Sequence, residues 1–177
     1  MKYNVIAALL SLFVVASCAS LKPESFSSTP PVLDPVKFFG GHTHSTGVIE
    51  SPSGKPAERI TTQTAGVYAN GILSMDQDLH SEDSKPTHRN FKLKIIDAHH
   101  VDATGSDITG TAHGELYGNY FTWSFRLKVA DQGLVQHANM TQCMYLMPDG
   151  KTLIIRSIIR KFGFIVKEVT EQFHKDD

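Results

Sequence analysis

The chain has 177 residues, 17 Lys and Arg against 18 Asp and Glu, and a formal net charge of −1. Its charges form no basic cluster and no long run of one sign, which argues against a nucleic-acid partner. At 41% hydrophobic content it has the makings of a packed core, with only Cys18 and Cys143 as thiols.

The chain opens MKYNVIAALLSLFVVASC, with Lys2, an apolar run from Val5 to Ala16 and small residues up to Cys18. This is the pattern of a signal sequence. A membrane span needs about 20 apolar residues, whereas Cys18 is followed at once by the polar Ser20, Lys22 and Glu24. Val15-Ala16-Ser17-Cys18 resembles the bacterial lipobox, so residues 1–17 are expected to be a lipoprotein signal peptide and Cys18 the lipid attachment site. Ala19 stands where an Asp would signal inner-membrane retention, which implies an outer-membrane anchor and a domain facing the periplasm.

With Cys18 lipidated, Cys143 would be the one remaining thiol and no intrachain disulfide could form. Burial as a small hydrophobe is its expected role. Residues 18–35 contain Pro23, Pro30, Pro31 and Pro35 among serines and carry no apolar period, the composition of a flexible tether after the lipidated cysteine.

Residues 36–177 have the size of a single domain. Alternation with period two dominates them, most clearly at Phe121, Trp123, Phe125, Leu127 and Val129, interleaved with Thr122, Ser124, Arg126 and Lys128. Phe91, Leu93 and Ile95 alternate in the same way, as do Leu73, Met75 and Leu79 against Ser74, Asp76, Asp78 and His80. Strands are predicted near 38–49, 58–69, 72–81, 87–97, 99–104, 107–117, 120–130, 134–147, 151–162 and 164–173, with turns at Asn70-Gly71, Gly118-Asn119 and Pro148-Asp149-Gly150.

A two-residue turn at Gly118-Asn119 would set Trp123 opposite Gly114, Phe125 opposite Ala112, Leu127 opposite Gly110 and Phe121 opposite Leu116. Large residues facing small ones suit a sharply curved sheet. The same register puts His113 on the polar exterior beside Ser124. The fold class is all-β: an antiparallel up-and-down barrel of about eight to ten strands, which removes exposed edges, with a sandwich as the alternative.

At DITGTAHGELYGNYFTWSFRL, residues 107–127, the sequence resembles an uncharacterised, domain-of-unknown-function family of bacterial lipoproteins with a lipocalin-like (calycin) barrel. The family pattern Asp-Val-x-Gly-x-Ala-x-Gly, then Gly-Asn and an aromatic strand, corresponds to Asp107-Ile108, Gly110, Ala112, Gly114, Gly118-Asn119 and Trp123. Further matches are FFGG at 38–41, Gly47, MYL at 144–146, Arg156 and KFGFIVKEVTEQF at 161–173. The chain departs from the pattern at Gln142-Cys143, where an Asp-Trp pair is usual, and at Ile155, where Asn is typical. The resemblance implies a calycin fold and an envelope location, and no activity.

Candidate chemistry is sparse. His42 and His44 in GGHTHSTG share one strand face, but no third metal ligand follows at a recognisable spacing, and the family pattern puts the pair on the outer face. His99 and His100 are adjacent and point to opposite faces. No nucleophile elbow exists, and Ser45 and Ser124 near histidines carry little weight. Cys143 and His137 are about 20 Å apart along one extended strand. No catalytic residue, metal site or cofactor is assigned.

Arg156 and Arg160 share parity with Ile154, Ile158 and Phe162, so Arg156 either meets solvent or enters the cavity as a polar anchor. Gln136 and Gln142 share parity with Met140 and Met144, and amides buried there need partners. The expected function is binding or carriage of a small lipophilic ligand, its cavity lined by Tyr68, Met75, Trp123, Phe125, Met140 and Met144 with Arg156 as anchor, and its membrane contact made through the N-terminal lipid. The alternatives are a filled barrel acting as an interaction protein of the envelope, and an enzyme of envelope lipid metabolism. A void of some hundreds of Å3 distinguishes the binder from the filled barrel.

Overall fold

A computed structural model describes residues 21–82, 85–128 and 137–176. The predicted signal segment, Cys18 and Gln136 lie outside the described residues. Ten strands follow one another: β1 (Gly41–Glu50), β2 (Pro56–Ala69), β3 (Ile72–Ser81), β4 (Thr87–Ile95), β5 (His100–Gly105), β6 (Ile108–Tyr117), β7 (Tyr120–Lys128), β8 (His137–Leu146), β9 (Thr152–Lys161) and β10 (Phe164–Lys175). Each pairs antiparallel with the next, and β10 pairs with β1, so the sheet closes on itself as the period-two pattern predicted.

Up-and-down order gives the barrel two distinct ends. Turns 70–71, 96–99, 118–119 and 147–151 lie at one end, here termed the base, together with the start of β1 and the end of β10. The connections 51–55, 106–107 and 162–163 lie at the other, the rim.

The first predicted strand began too early, because residues 35–39 form a short helix, α1 (Pro35–Phe39), beneath the base. Asp34 caps it, its carboxylate accepting from the backbone N–H groups of Val36 at 2.9 Å and Lys37 at 3.1 Å, while Pro35 supplies the preset φ of a first helical residue. Phe38 and Phe39 are thereby turned into the barrel's floor, where both are buried. Gly66 makes the approach possible, since a Cβ there would stand 1.9 Å from the Phe39 carbonyl oxygen.

Within residues 18–35, expected to be a flexible tether, the described part is packed on the barrel. Phe26 stacks on Tyr120 with ring centroids 4.5 Å apart, the N–H of Leu33 donates to Gly118 O at 2.8 Å, and Leu33 is 1% exposed. Two apolar anchors offset the entropy of ordering a segment whose prolines already restrict it.

Near the Gly118-Asn119 turn the predicted register holds, with Gly114 opposite Trp123, Leu116 opposite Phe121 and His113 opposite Ser124. Beyond it the register shifts between Thr109 and His113, and Leu127 faces Ile108 instead of Gly110. Gly110 adopts φ 78°, so the predicted large-small partner is the glycine of a bulge that bends β6.

Candidate functional site

Parity along the strands divides the interior into two unlike walls. From β5 to β9 the inward residues are almost all apolar, with Phe121, Trp123 and Phe125 on β7 and Met140 and Met144 on β8. Trp123 sits among rings, 5.5 Å from Phe121, 5.4 Å from Phe125 in an edge-on arrangement and 6.2 Å from Phe91. Across β10, β1, β2 and β3 the inward set includes Glu171, Thr43, Ser45, Thr62, Thr64 and Gln77, all buried.

Within the barrel lies a cavity of about 50 Å3, floored by Phe39 and lined by the apolar Met75, Phe91, Trp123, Phe125, Met140 and Met144 and by the polar Gln77, Arg89, Asp107 and Glu171. Such a volume holds a few water molecules.

Lateral hydrogen bonds organise the polar wall. Gln77 Nε2 donates to Thr64 Oγ1 at 3.0 Å, and the Arg89 guanidinium donates to Gln77 Oε1 at 3.3 Å, forming one row across β2, β3 and β4. Arg89 stands 3.8 Å from the Asp107 carboxylate, which reaches in from the β5–β6 turn, and its guanidinium lies 5.8 Å over the Phe91 ring. Among the described residues, neither Arg89 Nε nor Asp107 Oδ1, both buried, has a hydrogen-bond partner.

Glu171 on β10 accepts from Ser45 Oγ at 3.0 Å and Thr62 Oγ1 at 3.2 Å. Burial pushes its carboxyl above the usual carboxylate range, against the opposing pull of Arg89 and the two hydroxyls. Gly47 makes the space, because a Cβ there would come 2.6 Å from Glu171 Cγ. Arg89 and both acids thus line the same cavity, with Asp107 the one at ion-pair distance.

Of the residues predicted from the sequence, Met75, Trp123, Phe125, Met140 and Met144 meet in the cavity lining. Tyr68 has inward parity but lies past the last full ring of pairs at the base, and it is half exposed. Arg156 is not the polar anchor: it is outside the barrel, donating to Glu168 at 2.7 Å, while Leu153, Ile155 and Ser157 take the inward parity of β9. The arginine that lines the cavity is Arg89.

Gln142 is drawn inward as expected, and its partners are protein groups. Trp123 Nε1 donates to Gln142 Oε1, and Gln142 Nε2 donates to Ser157 Oγ at 2.9 Å. Cys143 is half-buried on the outer wall, where its sulfur accepts from the Tyr120 hydroxyl at 3.1 Å beneath the Phe26 segment.

His42 and His44 are exposed on the outer face, His44 against Asp176 at 2.6 Å. His100 pairs with Asp97 and His113 with Asp102. Among the described residues, no group of three or more His, Cys, Asp or Glu is placed to hold a metal ion.

Arg89, Asp107, Glu171 and Gln77 escaped the sequence reading although the needed signal was there. Arg89 is in phase with Phe91, Leu93 and Ile95, Gln77 with Leu73 and Met75, and Glu171 with Val169 and Phe173. The same rule that drew attention to Arg156 applies to all three.

A closed antiparallel barrel with a small, partly polar interior defines the class as a lipocalin-like, calycin-type barrel. The chain belongs to the family described as protein of unknown function (DUF3833), whose model matches residues 12–175. No curated protein matches the sequence. Among solved structures it is similar to the S-type phycobiliprotein lyase CPES from Guillardia theta, with 11% identity over 82% of this chain and 94% of that one and a TM-score of 0.57. It is likewise similar to Rv2717c from M. tuberculosis, with 14% identity over 84% of this chain and 99% of that one and a TM-score of 0.58. At these identities the likeness is one of fold.

Proposed function

We propose that this protein is an outer-membrane-anchored, periplasm-facing lipoprotein, attached through lipid on Cys18, whose barrel binds a small amphiphile. The observation that carries the binding reading is the pair of buried atoms Arg89 Nε and Asp107 Oδ1 at the cavity wall, neither of which has a partner among the described residues. Leaving such groups unmatched costs about 1–3 kcal/mol each, so a ligand group that accepts from one and donates to the other is favoured there. A hydroxyl, an amide or a protonated carboxyl has that pairing. The apolar body would lie toward Trp123, Phe125, Met140 and Met144, the methionines making room by rotation about their flexible chains.

A second reading is favoured by the volume. About 50 Å3 is well below the void expected of a lipophile carrier, as befits a filled barrel that presents its outer face or loops to an envelope partner.

Native mass spectrometry and organic extraction of the full chain, purified from membranes, decide between them. An amphiphile that co-purifies with the wild type and is lost from Arg89→Met and Met140→Trp supports the binder. A clean apo mass after incubation with total envelope lipid extract removes it and leaves the filled barrel. Intact masses of the wild type and Cys18→Ser test the anchor separately.

A further inference from the structure

The barrel's exposed apolar side chains are distributed unevenly between its ends. Nine large ones are exposed among the described residues, and only two, Phe162 and Phe164, are at the rim. Six of the others are at the base: Val67, Tyr68 and Ile72 on the β2–β3 hairpin, Ile96 in the β4–β5 turn, Met147 in the β8–β9 turn and Val32 before α1; the last, Leu21, precedes the segment that ends in Phe26. Val67 is 66% exposed and Ile96 49%. An apolar grouping at one end of a soluble-faced barrel marks a surface that something covers.

The chain itself indicates what covers it. Leu21 is five residues from Phe26, whose ring is fixed on Tyr120 at the base, and three residues from Cys18. Eight residues lead from Phe26 back to Cys18, at most about 29 Å of extended chain, so a lipid on Cys18 tethers the barrel to the bilayer from the end at which Phe26 is fixed. The residue types suit that setting. Tyr68, half exposed, is paired across the hairpin with Leu73, and Lys94 is paired across the strands with Ile72, its long stem able to carry the ammonium out to headgroup level. Ile96 and Met147 project from turns, and Val67, Tyr68 and Ile72 from the strand ends of the β2–β3 hairpin, positions a fluid leaflet accommodates without a matching groove.

We propose that the base is a membrane-docking face: Val67, Tyr68, Ile72, Ile96 and Met147 enter the headgroup region of the phospholipid leaflet that carries the Cys18 lipid. Ile96 and Met147 lie on turns from opposite sides of the β-ring, so contact by both stands the barrel upright with its rim directed away from the membrane. The inference rests on the lipid-anchor reading and is independent of whether the cavity takes a ligand.

The test uses the full chain in phosphatidylethanolamine–phosphatidylglycerol vesicles, with Cys143→Ser and a nitroxide label on Ile96→Cys, Met147→Cys or Phe162→Cys. The labels at positions 96 and 147 should be reached several-fold better by lipid-soluble oxygen than by an aqueous nickel chelate, with the order reversed at position 162. Equal access of the nickel chelate at all three positions overturns the docking face. Low access to both reagents at the base means a protein surface covers it, and overturns the proposal as well. Intact mass separates the two readings: lipid on Cys18 with water-exposed labels defeats the docking face alone, and absence of the lipid defeats both. Far-UV circular dichroism of each labelled protein confirms the fold before the comparison.

Discussion

Arg89 and Asp107 stand 3.8 Å apart inside the barrel, close enough to attract one another and too far to share a hydrogen bond. The pair is partly shielded from water and leaves one polar atom on each side without a partner among the described residues. Removing one partner therefore strands the other charge. Arg89→Met is expected to cost about 1–3 kcal/mol in urea unfolding, and Arg89→Met with Asp107→Leu should recover most of that loss. A double variant no more stable than the single one would show that the two groups are uncoupled.

Glu171 ties stability to pH in a direction opposite to that of an ordinary surface carboxylate. Its folded-state pKa lies above the unfolded value, so its contribution is fully present below the unfolded pKa and is lost as pH rises through the gap to the folded one. Glu171→Gln keeps an acceptor for Ser45 and Thr62 and cannot ionise. The variant should match the wild type below about pH 4, gain on it as pH rises, and then hold a constant advantage. Urea midpoints across the acid range check this, and an advantage that fails to grow with pH refutes it.

Residues 26–34 act as part of the barrel. Leu33→Ala should lower stability by about 2–5 kcal/mol, as for other fully buried leucines. A chain cut to begin at Val36 loses Leu33, Phe26 and the Asp34 cap together, and it should unfold at lower denaturant than Leu33→Ala. Equal midpoints for the cut chain and the full one would mean that the segment adds nothing.

Gly114 and Gly66 are held by space and not by conformation. A Cβ at Gly114 would stand 2.5 Å from the Phe121 ring, which can tilt, whereas at Gly66 it would stand 1.9 Å from a backbone oxygen of α1. Gly114→Ala should cost about 1–3 kcal/mol. Gly66→Ala should cost more, and it should raise hydrogen exchange at Phe38 and Phe39 by pushing α1 off the floor. Comparable losses at the two sites would count against this account.

Strand positions were legible because most strands have one wet face and one dry face, and Phe121 to Lys128 shows this in its alternation alone. The site was legible only on its apolar side. Trp123, Phe125, Met140 and Met144 announce themselves by hydrophobicity, whereas Arg89 and Glu171 read locally as surface charges, and only their phase with Phe91 and Phe173 betrays them. Arg156 misled for the complementary reason: both parities of β9 are rich in isoleucine, so periodicity could not choose the inward face. The bulge at Gly110 and the cap at Asp34 depend on φ values and on tertiary neighbours, neither of which a strand pattern encodes.

The seam between β1 and β10 joins the first strand of the chain to the last, from Thr43 with Lys175 to Glu50 with Glu168. Every other neighbouring pair is a hairpin, so the ring can be assembled locally until its final closure, where the longest loop entropy falls due. Closure at the seam should therefore be a slow, late step. A ribosome-bound or proteolysed chain lacking β10 would carry two long unpaired edges, β1 and β9, each a template for misassembly. For this barrel the hazard is concentrated in the interval before its last strand arrives.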